Sequence, residues 1–103
     1  MKAQSFREFY PFYLGEHQHP VCRTLHFVGT SLALACLLIF VRTGRWQLIV
    51  AGLVIGYAFA WLGHFGFEKN KPASFKQPLY SFMGDWVMWW QLLTRQIPFN
   101  PKV

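Results

Sequence analysis

From Thr24 to Val41 the chain carries no formally charged side chain, and from Trp46 to Phe67 it again carries none. A helix needs roughly 20 apolar residues to cross the hydrocarbon core of a bilayer, so the two runs predict transmembrane helices at about 24–41 and 46–67. Only Arg42-Thr43-Gly44-Arg45 lies between them, room for a tight antiparallel turn with Gly44 supplying the permissive backbone. The predicted core is therefore a hairpin. Upstream, Ser5-Phe6-Arg7-Glu8 has the form of a capping box and predicts a short interfacial helix that Pro11 should kink or end. Pro20 suits the first turn of the helix that becomes the first span. Glu68 to Pro78 is a polar connection with two prolines, and a third apolar stretch, at about 79–94, carries Asp85 among Trp, Met, Phe and Leu. That stretch predicts either a third span or an amphipathic helix lying in the interface. Residues 97–101 read as an irregular tail. The expectation is an all-α protein, a small polytopic membrane helix bundle forming one membrane domain over 1–103, without internal repeat.

Composition agrees with a membrane class. Charged residues make up 14% of the chain, against about 25% in soluble domains. Trp46, Trp86, Trp89 and Trp90 suit interfacial belts. The net charge is +6, but the ten basic residues are spread over every polar segment. No stripe or motif for nucleic acid results, and the expected partner is a membrane with anionic headgroups rather than nucleic acid. Cys22 and Cys36, fourteen positions apart on one helix, are separated by ~20 Å, which excludes an internal disulfide. The first apolar run starts only after a charged, proline-containing segment, so the N-terminus is expected to be retained. If the third stretch spans, six of the ten basic residues (Lys2, Arg7, Arg23, Lys69, Lys71, Lys76) share the side opposite the turn, and the positive-inside rule makes that side cytoplasmic.

All four histidines lie toward that side. Counted outward from the turn, His26 and His64 lie about 17 and 20 residues away, so their depths differ by ~5 Å. His17 can fold back over the same spot through the turn before Pro20. Glu68 follows His64 at i, i+4, on the same face of a regular helix. The set His17, His26, His64 and Glu68 can thus form a site between helices, with His19 a further candidate. Imidazoles with a carboxylate and open positions suit Fe(2+), Mn(2+) or Zn(2+). Asp85, ~10 Å into the layer if its helix spans, can orient an imidazole through its second nitrogen or sit at the exposed edge of an interfacial helix. Read singly, His64 can be a packing residue, His17 and His19 solvated interfacial side chains, and Glu68 a partner of Lys69 or Lys71. An ionisable side chain inside a span, as His26 is, defaults to function.

The blocks His17-Gln18-His19-Pro20, then His26, and Gly63-His64-Phe65-Gly66-Phe67-Glu68-Lys69-Asn70-Lys71-Pro72-Ala73 resemble the 2-hydroxy fatty acid dioxygenase family of small multi-pass membrane proteins, over most of the chain. The resemblance implies an iron-dependent enzyme of fatty-acid α-oxidation, linked in eukaryotes to phytosphingosine breakdown in the endoplasmic reticulum. It would use a 2-hydroxy fatty acid and O2 and release CO2 and the acid one carbon shorter. In a bacterium the host would be the inner membrane. The family's histidines match His17, His26 and His64, and its Gly-His…Glu…Pro-Ala block matches Gly63, His64, Glu68, Pro72 and Ala73. His19 stands where a eukaryotic relative has asparagine, and the chain is shorter than that relative between the two blocks. The implied reaction delivers four electrons to O2 and needs no 2-oxoglutarate. Substrate carboxylate and hydroxyl would chelate the iron, the tail would lie among the helices, and Arg23, Lys69 or Lys71 would attract the carboxylate or contact lipid. Two readings compete: a haem b protein ligated by His26 and His64, and a non-enzymatic lipid-interacting protein whose histidines only hydrogen-bond between helices. A protein of only two or three spans can require a second copy to enclose its site, so a homodimer is also compatible.

Overall fold

The structure, a computed structural model, describes residues 3–72 and 75–101. Ala73 of the family pattern lies outside them. Four α-helices, α1 (Phe6–Gly15), α2 (Pro20–Thr43), α3 (Gln47–Gly63) and α4 (Pro78–Leu93), are joined by a π-helical turn over His64–Glu68 that extends α3. No strand occurs among the described residues.

The Ser5 hydroxyl accepts the Glu8 N–H at 3.2 Å and starts α1, satisfying one of the orphan donors of a first turn. Pro11, contrary to expectation, neither ends nor interrupts the helix. Arg7 and Pro11 are both exposed, so the carbonyl deprived of its partner faces outward. Phe9 and Tyr13, about half a turn to either side, are fully buried and hold the helix in place.

α2 opens with Pro20 after the N-cap His19, whose Nδ1 accepts the Val21 N–H at 3.1 Å. It ends at Gly44, in the left-handed region at φ +71°. Pro20–Thr43 and Gln47–Glu68 are both long and apolar enough to cross a membrane. Leu38, Ile39, Val41, Val50, Val54 and Leu62 point away from the molecule, the pattern of helices solvated by lipid. The pair packs through small residues. A Cβ on Gly29 would stand 2.8 Å from Phe59 Cβ, and one on Gly63 would stand 2.9 Å from Cys22 Sγ. Close backbone approach of this kind replaces the missing hydrophobic drive between helices in lipid.

The well-buried apolar core lies elsewhere, where α4 meets α1: Ala3, Phe9, Tyr13, Met88 and Leu92. With 16 residues, α4 measures ~24 Å, short of the ~30 Å hydrocarbon layer. Gln77, just before it, exchanges hydrogen bonds with the Ala3 backbone at 3.1 and 3.0 Å. Beyond it the tail returns to the first turn of α2, where Arg23 donates to the Pro98 carbonyl at 2.7 Å. Of the two expectations for this stretch, spanning or interfacial, the structure supports a helix that does not carry the chain across.

Candidate metal centre

Each of three imidazoles is placed by a different device. His17 follows α1, with its ring stacked on Tyr13 at a centroid distance of 4.0 Å and its Nδ1 2.6 Å from the Tyr13 carbonyl. The linker holding it is pinned by Arg23, whose Nε donates to the His17 carbonyl at 2.7 Å. His26, two turns into α2, places Nδ1 2.9 Å from the Cys22 carbonyl. His64 opens the π turn, with Nδ1 2.7 Å from Asn70 Oδ1. Lys69, at φ +61°, reverses the chain, and the Asn70 N–H closes on the His64 carbonyl at 3.2 Å. The Asn70 amide nitrogen donates to the Glu16 carbonyl at 3.2 Å and to Glu16 Oε2 at 2.6 Å, which assigns its oxygen to His64.

All three Nδ1 atoms thus face oxygen acceptors and must carry the ring proton. The Nε2 atoms are left with bare lone pairs, and these converge. His17 Nε2 lies 3.0 Å from His26 Nε2 and 3.0 Å from His64 Nε2, with the whole set within 4.8 Å and buried. Burial pushes His17 well below the ordinary histidine range, and the neighbouring His26 and His64 lower it further, so it is neutral, the form that ligates metal. Neutral acceptors cannot hydrogen-bond one another, so lone pairs at 3.0 Å repel unless a cation lies among them. Two imidazoles bound cis to one ion at ~2.1 Å have nitrogens about 3.0 Å apart. The donor set therefore fits a divalent metal held by three histidines with further positions open.

A model of the family described as 2-hydroxy-palmitic acid dioxygenase Mpo1-like matches residues 3–97. The chain belongs to this family. No curated protein and no solved structure matches the chain significantly.

Within the family block, Glu68 does not reach the imidazoles. Its Oε2 accepts the His19 N–H at 2.6 Å, a carboxylate at the positive N-terminal end of α2. The expectation that Glu68 and His64 share a metal assumed an α-helical period, whereas the chain widens there into a π turn. His19 caps α2 and packs its ring near Phe67, at 5.3 Å, so the structure brings it to the helix end and not to the cluster. Asp85 touches no imidazole. It accepts the Tyr13 hydroxyl, one residue removed from His17. Arg23 is buried on two backbone carbonyls rather than standing at headgroup level, and Lys69 and Lys71 are exposed beside the π turn. A haem between His26 and His64 has no room, because the His17 ring occupies the space between them, with centroids 4.4 and 4.5 Å away.

Tyr13, Asn70 and Glu16 were missed as positioning residues by sequence reasoning. Asn70 had a signal, an amide following a helix end by a turn. Tyr13 lies on an ordinary aromatic run and had none.

Proposed function

We propose that this chain is a membrane-embedded, Fe(2+)-dependent dioxygenase that converts a 2-hydroxy fatty acid and O2 into the fatty acid one carbon shorter, CO2 and water. The observation that carries the reading is the convergence of three buried, proton-free Nε2 atoms beside an apolar cavity that one of the three residues, His26, lines. The family's description, a 2-hydroxy-palmitic acid dioxygenase, supplies the substrate class.

The reaction balances as R–CH(OH)–COOH + O2 → R–COOH + CO2 + H2O. The C1–C2 bond breaks, the substrate gives up four electrons, and O2 accepts all four. His17, His26 and His64 would hold the ion. When bound, it supplies Lewis acidity toward the hydroxy-acid head and the redox partner that O2 requires. The protein's own groups do the rest. Three carbonyl oxygens, two of the backbone and one of Asn70, fix the imidazole orientations, and the covering helices keep water from the reacting head. Exposed Lys69 and Lys71, beside the π turn that carries His64, would place positive charge near the site to draw in a carboxylate.

Anaerobic loading of the detergent-purified protein with Fe(2+), followed by O2 and 2-hydroxypalmitate, tests the reading by mass spectrometry. A chelator-sensitive acid one carbon shorter is expected. Folded, iron-loaded protein that yields none from any 2-hydroxy acid would overturn it.

A further inference from the structure

The cavity beside the histidines continues far beyond what a hydroxy-acid head needs. Its volume is about 200 Å3. On α2 it is lined by His26, Thr30, Ala33 and Leu37, a single face at i, i+4, i+7 and i+11, and on α3 by Ala60, Gly56, Gly52 and Leu48 in the reverse order. The two stripes run level with each other. A Cβ on Gly56 would lie 3.8 Å from Ala33 Cβ, and one on Gly52 would lie 3.3 Å from Cys36 Cβ. Alanine and glycine at the middle rungs leave a furrow that leucines would fill. Phe82 and Trp86 of α4 line it as well.

Polarity changes along the furrow. Its polar liners, His26, Thr30, Tyr57 and Asp85, belong to the half near the metal ligands, whereas the far half is bounded by Leu37, Leu48, Ile49 and Leu53. At ~1.5 Å per residue, His26 to Leu37 covers about 16 Å and Ala60 to Leu48 about 18 Å. An extended hydrocarbon advances about 1.3 Å per carbon, from ~1.5 Å bonds at tetrahedral angles. The furrow therefore accommodates about 13 carbons beyond the head.

We infer that this furrow seats the acyl tail of the acid whose head is held at the histidines, and that Leu37, Leu48 and Ile49 form the stop that sets chain length. The inference rests on the fatty-acid reading above and adds the residues that measure the tail. An acyl chain is the occupant the geometry selects: the furrow is mostly apolar, one chain long and has a metal-ligating residue, His26, at one end. Leu53 is exposed on its rim, and Leu37 and Ile49 are also partly exposed, so the far half of the furrow is open along its side and a tail enters sideways from the bilayer.

The test is displacement of a fluorescent fatty acid from the purified protein by 2-hydroxy acids of graded length. Affinity should rise about fourfold per carbon while added methylenes still enter the furrow, then level off once the tail meets the stop. Leu37→Ala and Leu48→Ala, on opposing helices, should each move the break to longer acids, and Leu53→Trp should move it to shorter ones. Two different helices are sampled, so a variant that fails to insert leaves the others to decide. Affinity that climbs without a break, or a break that stays put in every folded variant, overturns the inference. Turnover is scored separately. A break that moves while no acid is turned over counts against the dioxygenase reading and upholds the furrow, and turnover with an unmoved break does the reverse.

Discussion

An imidazole whose Nδ1 proton is committed to an oxygen offers a metal only Nε2, and that commitment decides how well it binds. Two of the three oxygens here belong to the ring's own helical neighbourhood, Tyr13 to His17 and Cys22 to His26, and come with the backbone. The third is a side chain, Asn70, itself held by Glu16. It is the one that a single substitution removes. Outer partners of metal-bound histidine are worth about 10–100-fold in affinity. Asn70→Ala should therefore weaken Fe(2+) or Zn(2+) binding by that factor, measured by chelator competition, with the helical content unchanged. Asn70→Asp keeps the acceptor for His64 but sets a second carboxylate against Glu16, so Asn70→Asp combined with Glu16→Gln, which returns a donor to that pair, should restore most of it. Unchanged affinity in the alanine variant would show that His64 is oriented by other means.

The helices meet the site through one joint between α1 and α4. The Tyr13 ring lies between the His17 imidazole and Gly84, where a Cβ would come within 2.9 Å of the ring, and its hydroxyl rests on Asp85. Burial raises the Asp85 carboxyl to about 7, and the Tyr13 hydrogen bond opposes that only in part. The unfolded chain ionises this carboxyl near the ordinary value of 3.8. Between about pH 4 and 7 the folded state thus holds a proton the unfolded state has lost, so its stability falls as pH rises through that window. Asp85→Asn should remove this slope, on the order of 3 kcal/mol between pH 5 and pH 8, in denaturation curves of detergent-solubilised protein at those two pH values. An identical slope in the variant would place the titration elsewhere. None of this joint was legible in the sequence, because it depends on which aromatic of α1 meets the single glycine in the middle of α4. The hairpin, its turn and the matching depths of His26 and His64 were legible, since length and charge alone fix them. The π turn was not. A widened turn has the same composition as an α-helical one, and only the wider spacing of its backbone bonds moves Glu68 to the end of α2.

At the scale of the molecule, the path of α4 changes the charge balance. Because the tail returns to Arg23 at the start of α2, only residues of the 42–47 turn region lie at the far end of the hairpin. Arg42 and Arg45 are the basic residues there, and Arg95, expected opposite the site if the third stretch spanned, joins Arg7, Arg23, Lys69, Lys71 and Lys76 at the site end. Six described basic residues against two is a stronger bias than the five against three that a spanning third stretch would give over the same residues, and from it the positive-inside rule predicts an orientation with the histidines on the cytoplasmic side. Such a placement also suits a ferrous ion, which a reducing compartment preserves. In intact bacterial cells expressing a variant freed of Cys22 and Cys36 by alanine substitution, Thr43→Cys should react with an impermeant maleimide. Lys76→Cys should react only after permeabilisation. The reverse pattern would invert the protein, and labelling of both from outside would mean that the hairpin does not cross. That last result would also remove the lipid environment on which the furrow and its sideways entry depend, so the orientation measurement bears on the chemistry as directly as any substitution at the histidines.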